Sequence, residues 1–468
     1  MNELAQRKYF GSLYIIIAFL AMLFLLNSIN RYYGHDEFEH VHSSWYIENG
    51  QAPYRDFFQN HHPLLWVALL PFLKIFGHAI GTLVVLRIFI VIISFGIAVL
   101  VYRLAVFTTQ SREVGLYSVI LLLSMVMFVK KGIEIRPDIP QVFFGLLSVY
   151  YLIRFLERKT PFTFLVLSGL SASVSFLFLQ KTVFLIMAFV LIFFLKGRQK
   201  LISLKHVAIF TGSFLLPILV FVGYLVSTKS LQDYILTNWM MHIFHMRSFS
   251  PGNVLLSSLL MNTAFWILFI LSCWTILIMK RGFYELDVIS IIGIVLFLTT
   301  FLVKHPYEQY YVFPVTLISI TNANLINGLF SRYKSQRKRK TAILLAILVI
   351  PVVIISVMIF NSNQSQKRKI HYVLENSVCS DYIYDGDIQF NVFRKDLHFF
   401  WYSIRNQGLK TYNKITHGKF ADYDACRLIK SKKPKFISDF QLDLEGCGLE
   451  KTYKPTVFKH LFERIDSD

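Results

Sequence analysis

Apolar residues arrive in long unbroken runs separated by short polar stretches, among them Tyr14 to Leu26, Leu83 to Val101 and Ala342 to Phe360. A hydrocarbon core about 30 Å thick takes about 20 residues of helix at 1.5 Å per residue, and several runs are long enough to cross it. Because the runs continue to Phe360, the first reads as a retained span rather than a cleaved signal peptide. Arg7 and Lys8 precede it, which predicts a cytoplasmic N-terminus and places the loop after Asn30 outside. The next apolar stretch, Pro63 to Phe76, has about 14 residues and is interrupted by Pro71 and Lys74, too short for a span, so it predicts an interfacial segment. If it does not cross, the basic clusters Arg103/Arg112, Arg154/Arg158/Lys159, Lys196/Arg198/Lys200/Lys205, Lys280/Arg281 and Arg332 to Lys340 all face inward. If it crossed, every one of them would face outward, against the positive-inside bias.

This threading predicts a polytopic α-helical membrane protein of about eleven transmembrane helices, with interfacial helices in the first outside loop. Residues 1–360 form the membrane module, with residues 31–81 as that loop, and residues 361–468 lie outside the cytoplasm. This polar tail has mixed short segments: a strand end at Asp381 to Asp385, a helix at Tyr423 to Lys430 and a strand at Pro434 to Asp439. They predict a small α/β domain.

Composition agrees. Over 468 residues the chain is 55% hydrophobic and only 16% charged, with a mean hydropathy of +0.51, which excludes an ordinary soluble fold. The net charge of +20 is not a nucleic-acid signal, because the basic residues cluster between apolar runs, as membrane topology requires. The cysteines, Cys273, Cys379, Cys426 and Cys447, have neither CxxC nor zinc spacing. The last three could form one disulfide, with the pair left open by spacing.

Polar chemistry gathers in the segments this threading puts outside. The first loop carries Gly34-His35-Asp36-Glu37-Phe38-Glu39-His40, then Arg55-Asp56, then Asn60-His61-His62-Pro63-Leu64. Further on come Glu134 to Asp138, Gln180-Lys181, His242, His245, and Lys304-His305-Pro306-Tyr307 followed by Tyr310, Tyr311 and Pro314. Ionisable groups at the ends of apolar helices are costly and invite a functional reading. Each also has a plainer one. Asp36 and Glu37 can begin a short helix as solvated carboxylates, Arg136 and Asp138 can pair structurally, Lys181 and Lys304 can snorkel, and Tyr310 and Tyr311 can belong to an aromatic belt. Five histidines (His35, His40, His42, His61 and His62) share the first loop with Asp36, Glu37 and Glu39, so a divalent metal is one further reading, without any tight ligand template.

The order of these residues resembles a family. An Asp-Glu pair in the first outside loop is followed by Gly50-x-x-Pro53-Tyr54-Arg55-Asp56, by Pro63-Leu64 opening a segment that ends at Gly77, and by Arg87 in the next span. Gly169 to Lys181 and Lys304 to Pro314 continue the likeness, which runs from about Ala18 to Gly328. The pattern resembles the GT-C membrane glycosyltransferases of the protein O-mannosyltransferase and lipid A aminoarabinose transferase type (glycosyltransferase family 39-like). That resemblance implies transfer of a sugar from a polyprenyl phosphate carrier to a lipid, glycan or protein acceptor at the outer face of an inner or plasma membrane. Asp36 is then the general base, supported by Glu37. Arg136, Lys181, Lys304 and His61 are implied as donor-phosphate contacts, and Arg55, Asp56, His62, Asp138, His305, Tyr310 and Tyr311 as positioning residues. Two departures stand out: His61-His62-Pro63-Leu64 replaces the Lys-Pro-Pro-Leu of the aminoarabinose transferases, and Glu39 stands where they tend to have arginine. Two other classes compete with this reading, a transporter or flippase for a lipid-linked substrate and a non-catalytic envelope assembly protein.

Overall fold

The computed structural model describes residues 3–157, 161–244, 251–278, 285–303, 307–331, 337–386, 388–402, 408–440 and 442–465. Helices dominate: α1 (Glu3–Asn30), α2 (His35–Glu48), α3 (Leu64–Phe76), α4 (Ile80–Thr109), α5 (Arg112–Ser124), α6 (Val126–Lys131), α7 (Asp138–Leu156), α8 (Thr163–Phe178), α9 (Val183–Arg198) and α10 (Leu204–Ser227). They continue with α11 (Leu231–Ile235), α12 (Met241–Phe244), α13 (Pro251–Met261), α14 (Thr263–Ile278), α15 (Glu285–Thr299), α16 (Val312–Ser331) and α17 (Arg337–Met358). The tail adds α18 (Gln364–Glu375), α19 (Gly408–Ile415), α20 (Ala425–Lys432) and five short strands.

Among the described residues, seven helices are long and apolar enough to cross a membrane, or eight if the α13–α14 pair, bent by 106°, counts as one span. Shorter apolar helices, Leu64–Phe76, Thr163–Phe178 and Leu286–Leu302, lie between these and the expected eleven. The chain is an integral membrane protein. Its packing forms two compact units, one of residues Met1–Arg31, Arg87–Leu219 and Arg247–Asn361, the other of Tyr32–Leu86, Val220–Met246 and Ser362–Asp468.

In the first unit small residues bring helices close. A Cβ on Gly145 of α7 would lie 2.5 Å from the Phe313 ring, and Ser148 on α7 donates its hydroxyl to Ser168 O on α8 at 2.8 Å. The chain breaks at Met125 between α5 and α6, with its backbone extended. Asn262 covers the break: its Oδ1 accepts from Val126 N at 3.0 Å and its Nδ2 donates to Ser124 O at 3.1 Å. Irregular backbone inside an apolar bundle requires such partners.

The second unit contains the five-stranded sheet, in the order β2 (Lys395–Asp396), β1 (Tyr382–Tyr384), β3 (Phe436–Ile437), β5 (Phe462–Arg464), β4 (Tyr453–Pro455). β1 runs parallel to both neighbours, while β5 is antiparallel to β3 and β4. Thus the strands expected near Asp381 to Asp385 and Pro434 to Asp439 form, and α20 occupies the segment expected to be helical. Cys426 of α20 is disulfide-bonded to Cys447, which settles the pair left open by spacing; Cys273 and Cys379 are free. The tail shares this unit with the first loop. Phe58 packs against Phe400 with ring centroids 4.2 Å apart, its amide donates to Phe399 O at 3.0 Å, and its carbonyl accepts from Trp401 Nε1 at 3.1 Å. The sheet's own core is built from tail residues, among them Tyr384, Ile429, Ile437, Leu449 and Tyr453.

Candidate active site

Asp36 lies in the first turn of α2, partly exposed. Gly34 is the N-cap, and Glu37 reaches back to it, its Oε1 accepting from Gly34 N at 2.8 Å. Glu37 is fully buried, so this Asp-Glu order has a local cause: the second carboxylate caps the helix and the first is left in the turn. The positive end of the helix favours the ionised form of a carboxylate placed there, the form a proton acceptor needs.

The other first-loop candidates are bound into the second unit. Arg55 grips the Asp56 carboxylate with two hydrogen bonds of 2.7 Å and donates to Thr228 O at 2.9 Å. The Arg55 guanidinium beside it holds the Asp56 carboxyl below its ordinary range, against the opposing effect of partial burial. His62 is buried, its Nε2 2.9 Å from the Tyr234 hydroxyl and its ring against Phe221 and Trp239. His61 turns the other way, with Nδ1 3.4 Å from Glu39 Oε1.

Glu39, His40 and His61 present ligand atoms within 4.8 Å of one another, the spacing a metal ion would need. Their hydrogen bonding does not fit one. Trp66 Nε1 donates to His40 Nδ1 at 3.1 Å, and an indole nitrogen can only donate. His40 Nδ1 is therefore an acceptor whose lone pair is taken by the indole, and its proton sits on Nε2, so neither nitrogen has a lone pair left for a metal. A metal-bound histidine instead needs an acceptor behind its other nitrogen.

In the first unit the structure brings Arg136, Asp138, Lys181 and Tyr310 together. Asp138, at the start of α7, accepts from Arg136 Nε at 3.1 Å and from Lys181 Nζ at 3.2 Å, and Lys181 Nζ lies 3.3 Å over the Tyr310 ring. Glu134 adds Lys131 at 2.9 Å and Arg31 at 3.4 Å, and Glu308 adds Lys130 at 2.5 Å. These ion pairs join five cations, Arg31, Lys130, Lys131, Arg136 and Lys181, to three carboxylates, Glu134, Asp138 and Glu308. Tyr311 is fully buried within the unit. Lys304, His305 and His245 lie outside the described residues. Sequence reading missed Arg31, Lys130, Lys131 and Glu308. Their only signal was position: each borders an apolar run on the side already assigned to Asp138 and Lys181.

Fold and polar constellations together define a polytopic membrane protein of GT-C architecture, and comparison with known proteins agrees. The sequence model of the dolichyl-phosphate-mannose-protein mannosyltransferase family matches residues 61–227. No curated protein matches the chain. The solved structure of ArnT from Cupriavidus metallidurans bound to undecaprenyl phosphate superimposes with a TM-score of 0.70 at 11% identity, covering 98% of each chain. The oligosaccharyltransferase of Archaeoglobus fulgidus in complex with zinc and sulfate gives 0.58 at 13% identity, over 94% of this chain and 71% of that one. The same organism's AglB with an inhibitory peptide and a dolichol-phosphate gives 0.57 at 12% identity, over 98% and 74%. At such identities the likeness is one of fold.

Proposed function

We propose that the protein is a glycosyltransferase that moves a sugar from a polyprenyl phosphate carrier to a lipid, glycan or protein acceptor on the non-cytoplasmic face of the membrane. The observation that carries this reading is the convergence of Arg136 and Lys181 on the Asp138 carboxylate, which brings two fixed cations to one place. A phosphodiester donor carries about one negative charge and the departing phosphate monoester up to about two, so fixed cations favour the charge that develops as the bond breaks. Arg136 and Lys181 take that role, with Lys304 and His61 as further contacts and Tyr310 orienting Lys181.

Asp36 is the general base. An acceptor hydroxyl oxygen attacks the anomeric carbon, its proton passes to the Asp36 carboxylate, and the bond from that carbon to the phosphate oxygen breaks with its electron pair leaving on the phosphate. The Cys426–Cys447 disulfide supports an oxidising compartment for the tail. The fold supports a transferase over a transporter, and the polar groups lie at helix ends rather than on mid-span breaks. Asp36→Asn, assayed in membranes with polyprenyl-phosphate-linked sugars, is expected to lower turnover at least about 100-fold at an unchanged expression level. Full activity in that variant would refute the assignment.

A further inference from the structure

The span α10 ends in a tight turn. Lys229 takes the left-handed conformation at φ 57°, its amide donates to Val226 O at 3.0 Å, and the Ser230 amide donates to Leu225 O at 2.9 Å, which satisfies the last carbonyls of the helix. Only Thr228, Lys229 and Ser230 separate the span from the next helix, so that helix starts at the depth where α10 ends. There α11, a wider turn of π type over Leu236–Met240 and α12 follow one another without a break, as one helix over residues 231–244. At about 1.5 Å per residue it is about 20 Å long, short of the roughly 30 Å of a hydrocarbon core.

The two faces of this helix are reversed relative to one packed on a protein surface in water. Inward lie Tyr234, Thr237, Asn238 and Met241, all buried and three of them polar. The Tyr234 hydroxyl meets His62 Nε2 at 2.9 Å and accepts from Trp239 Nε1 at 3.2 Å. The Asn238 amide donates to the carbonyls of Asn60 at 3.2 Å and His61 at 3.1 Å, and His242 Nε2 stands 3.2 Å from Asn60 O. Outward lie Ile235, Trp239, Ile243 and Phe244, exposed by 45%, 36%, 57% and 46%. The first three recur every four residues and form a stripe, and because the Trp239 N–H is spent on Tyr234, the exposed part of that ring is apolar. Just before this helix, Val220, Tyr224 and Val226 of α10 are exposed as well, and α10 is almost wholly exposed along its apolar length. Single exposed apolar side chains are ordinary, whereas a row of them beside a span marks a contact surface.

We propose that residues 231–244 form an interfacial helix: Ile235, Trp239, Ile243 and Phe244 bed into the boundary between headgroups and acyl chains where α10 leaves the bilayer, while the opposite face holds the Asn60–His62 segment. Position selects the bilayer as the occupant. A helix that starts at headgroup depth, is too short to cross and carries tryptophan in an apolar stripe gains by lying in that boundary. Lys229, exposed in the turn, reaches the headgroups from the same place. The inference concerns the lipid surface and stands whether or not the transferase reading does.

The test uses the full-length protein in nanodiscs of phosphatidylethanolamine and phosphatidylglycerol. Cys273→Ser and Cys379→Ser remove the free thiols, and a nitroxide is attached through Ile235→Cys or Ile243→Cys. A nitroxide on native Cys379, which is exposed in the tail, is the reference. Oxygen partitions into lipid and a nickel chelate stays in water, so both labels are expected to meet nickel at least about fivefold less often than the reference and oxygen more often. Nickel collisions equal to the reference would overturn the proposal by placing the face in water. Labels reached by neither reagent would overturn it in favour of a second copy of the chain covering the face. Protection that appears only after undecaprenyl phosphate is added would overturn it in favour of a groove for that lipid. Ile235→Ser combined with Ile243→Ser is expected to raise amide exchange over Asn60 to His62 about tenfold, with β1 and β3 unchanged. Unchanged exchange there would overturn the hold on that segment. The labelled proteins place no polar side chain in the stripe, so the depth measurement decides even if the double serine variant folds poorly.

Discussion

The helix that carries Asp36 is anchored by a buried contact between residues 354 positions apart, and cutting it should disable the base from a distance. His42 of α2 is fully buried, with Nδ1 2.9 Å from Val392 O and Nε2 2.7 Å from Asp396 Oδ2. Asp396 also accepts from the Tyr46 hydroxyl at 2.7 Å and from Asn391 Nδ2 at 2.7 Å. Asp396→Ala therefore strands three donors at once. Each unsatisfied buried group costs about 1–3 kcal/mol, and loss of one partner of a buried pair about 3–5 kcal/mol, so about 4 kcal/mol is a reasonable total. For a unit of this size, at about 2–4 °C per kcal/mol, the apparent melting temperature should fall by about 8 °C or more. Asp396→Asn should be far milder, about 1 kcal/mol: the amide oxygen still accepts, and its NH2 can donate to a neutral His42 Nε2 while Nδ1 keeps its bond to Val392. The assay is differential scanning fluorimetry of both variants in one detergent, with amide exchange over residues 35–48 and transferase activity measured alongside. Equal shifts for Ala and Asn, or normal exchange and activity in Asp396→Ala, would refute the anchoring role.

Four further outcomes are expected. Burial pushes the Asp385 carboxyl up to about 7, against three backbone N–H donors at 2.8 Å and nearby Lys369. Its folded pKa lies above the unfolded value near 3.9, so between about pH 4 and 7 the folded state holds the extra proton and stability falls as pH rises. Asp385→Asn should remove that decline in thermal scans, and an unchanged slope would refute it. Cys379 is free and exposed, so a membrane-impermeant maleimide should label it on intact cells if the tail is outside; labelling only after lysis would reverse the threading. Reducing the Cys426–Cys447 bond, which closes a loop over a separation of 21, should cost about 3 kcal/mol, read as a lower melting temperature with reductant. Lys181→Ala should raise the donor KM about tenfold with the fold retained, whereas Lys181→Arg keeps the charge and should recover most of it.

The spans, their order and the polar segments between them were legible because each depends on local pattern: apolar length, flanking charge and the position of Asp-Glu at a helix start. The strands around Ile383 and Phe436 and helix α20 were legible for the same reason. Less so was the span count, because the break at Met125 leaves α5 and α6 each too short for a length rule, and Asn262, far along the chain, pairs with the backbone there. The grouping of the tail with residues 32–86 could not be read either, since the Phe58–Phe400 contact joins stretches that carry no mark of each other. The site divides in the same way. Residue type and order were enough to nominate Asp36, Arg136, Asp138, Lys181 and His61. Only the tertiary structure decided that Asp138 holds Arg136 and Lys181 together, that Glu37 is spent on a helix cap, that His62 is buried against Tyr234, and that Glu39 pairs with His61. The reason is physical: a side chain's charge and reach follow from its identity, but the partner that uses or neutralises that charge is set by chain segments brought within a few ångströms by packing.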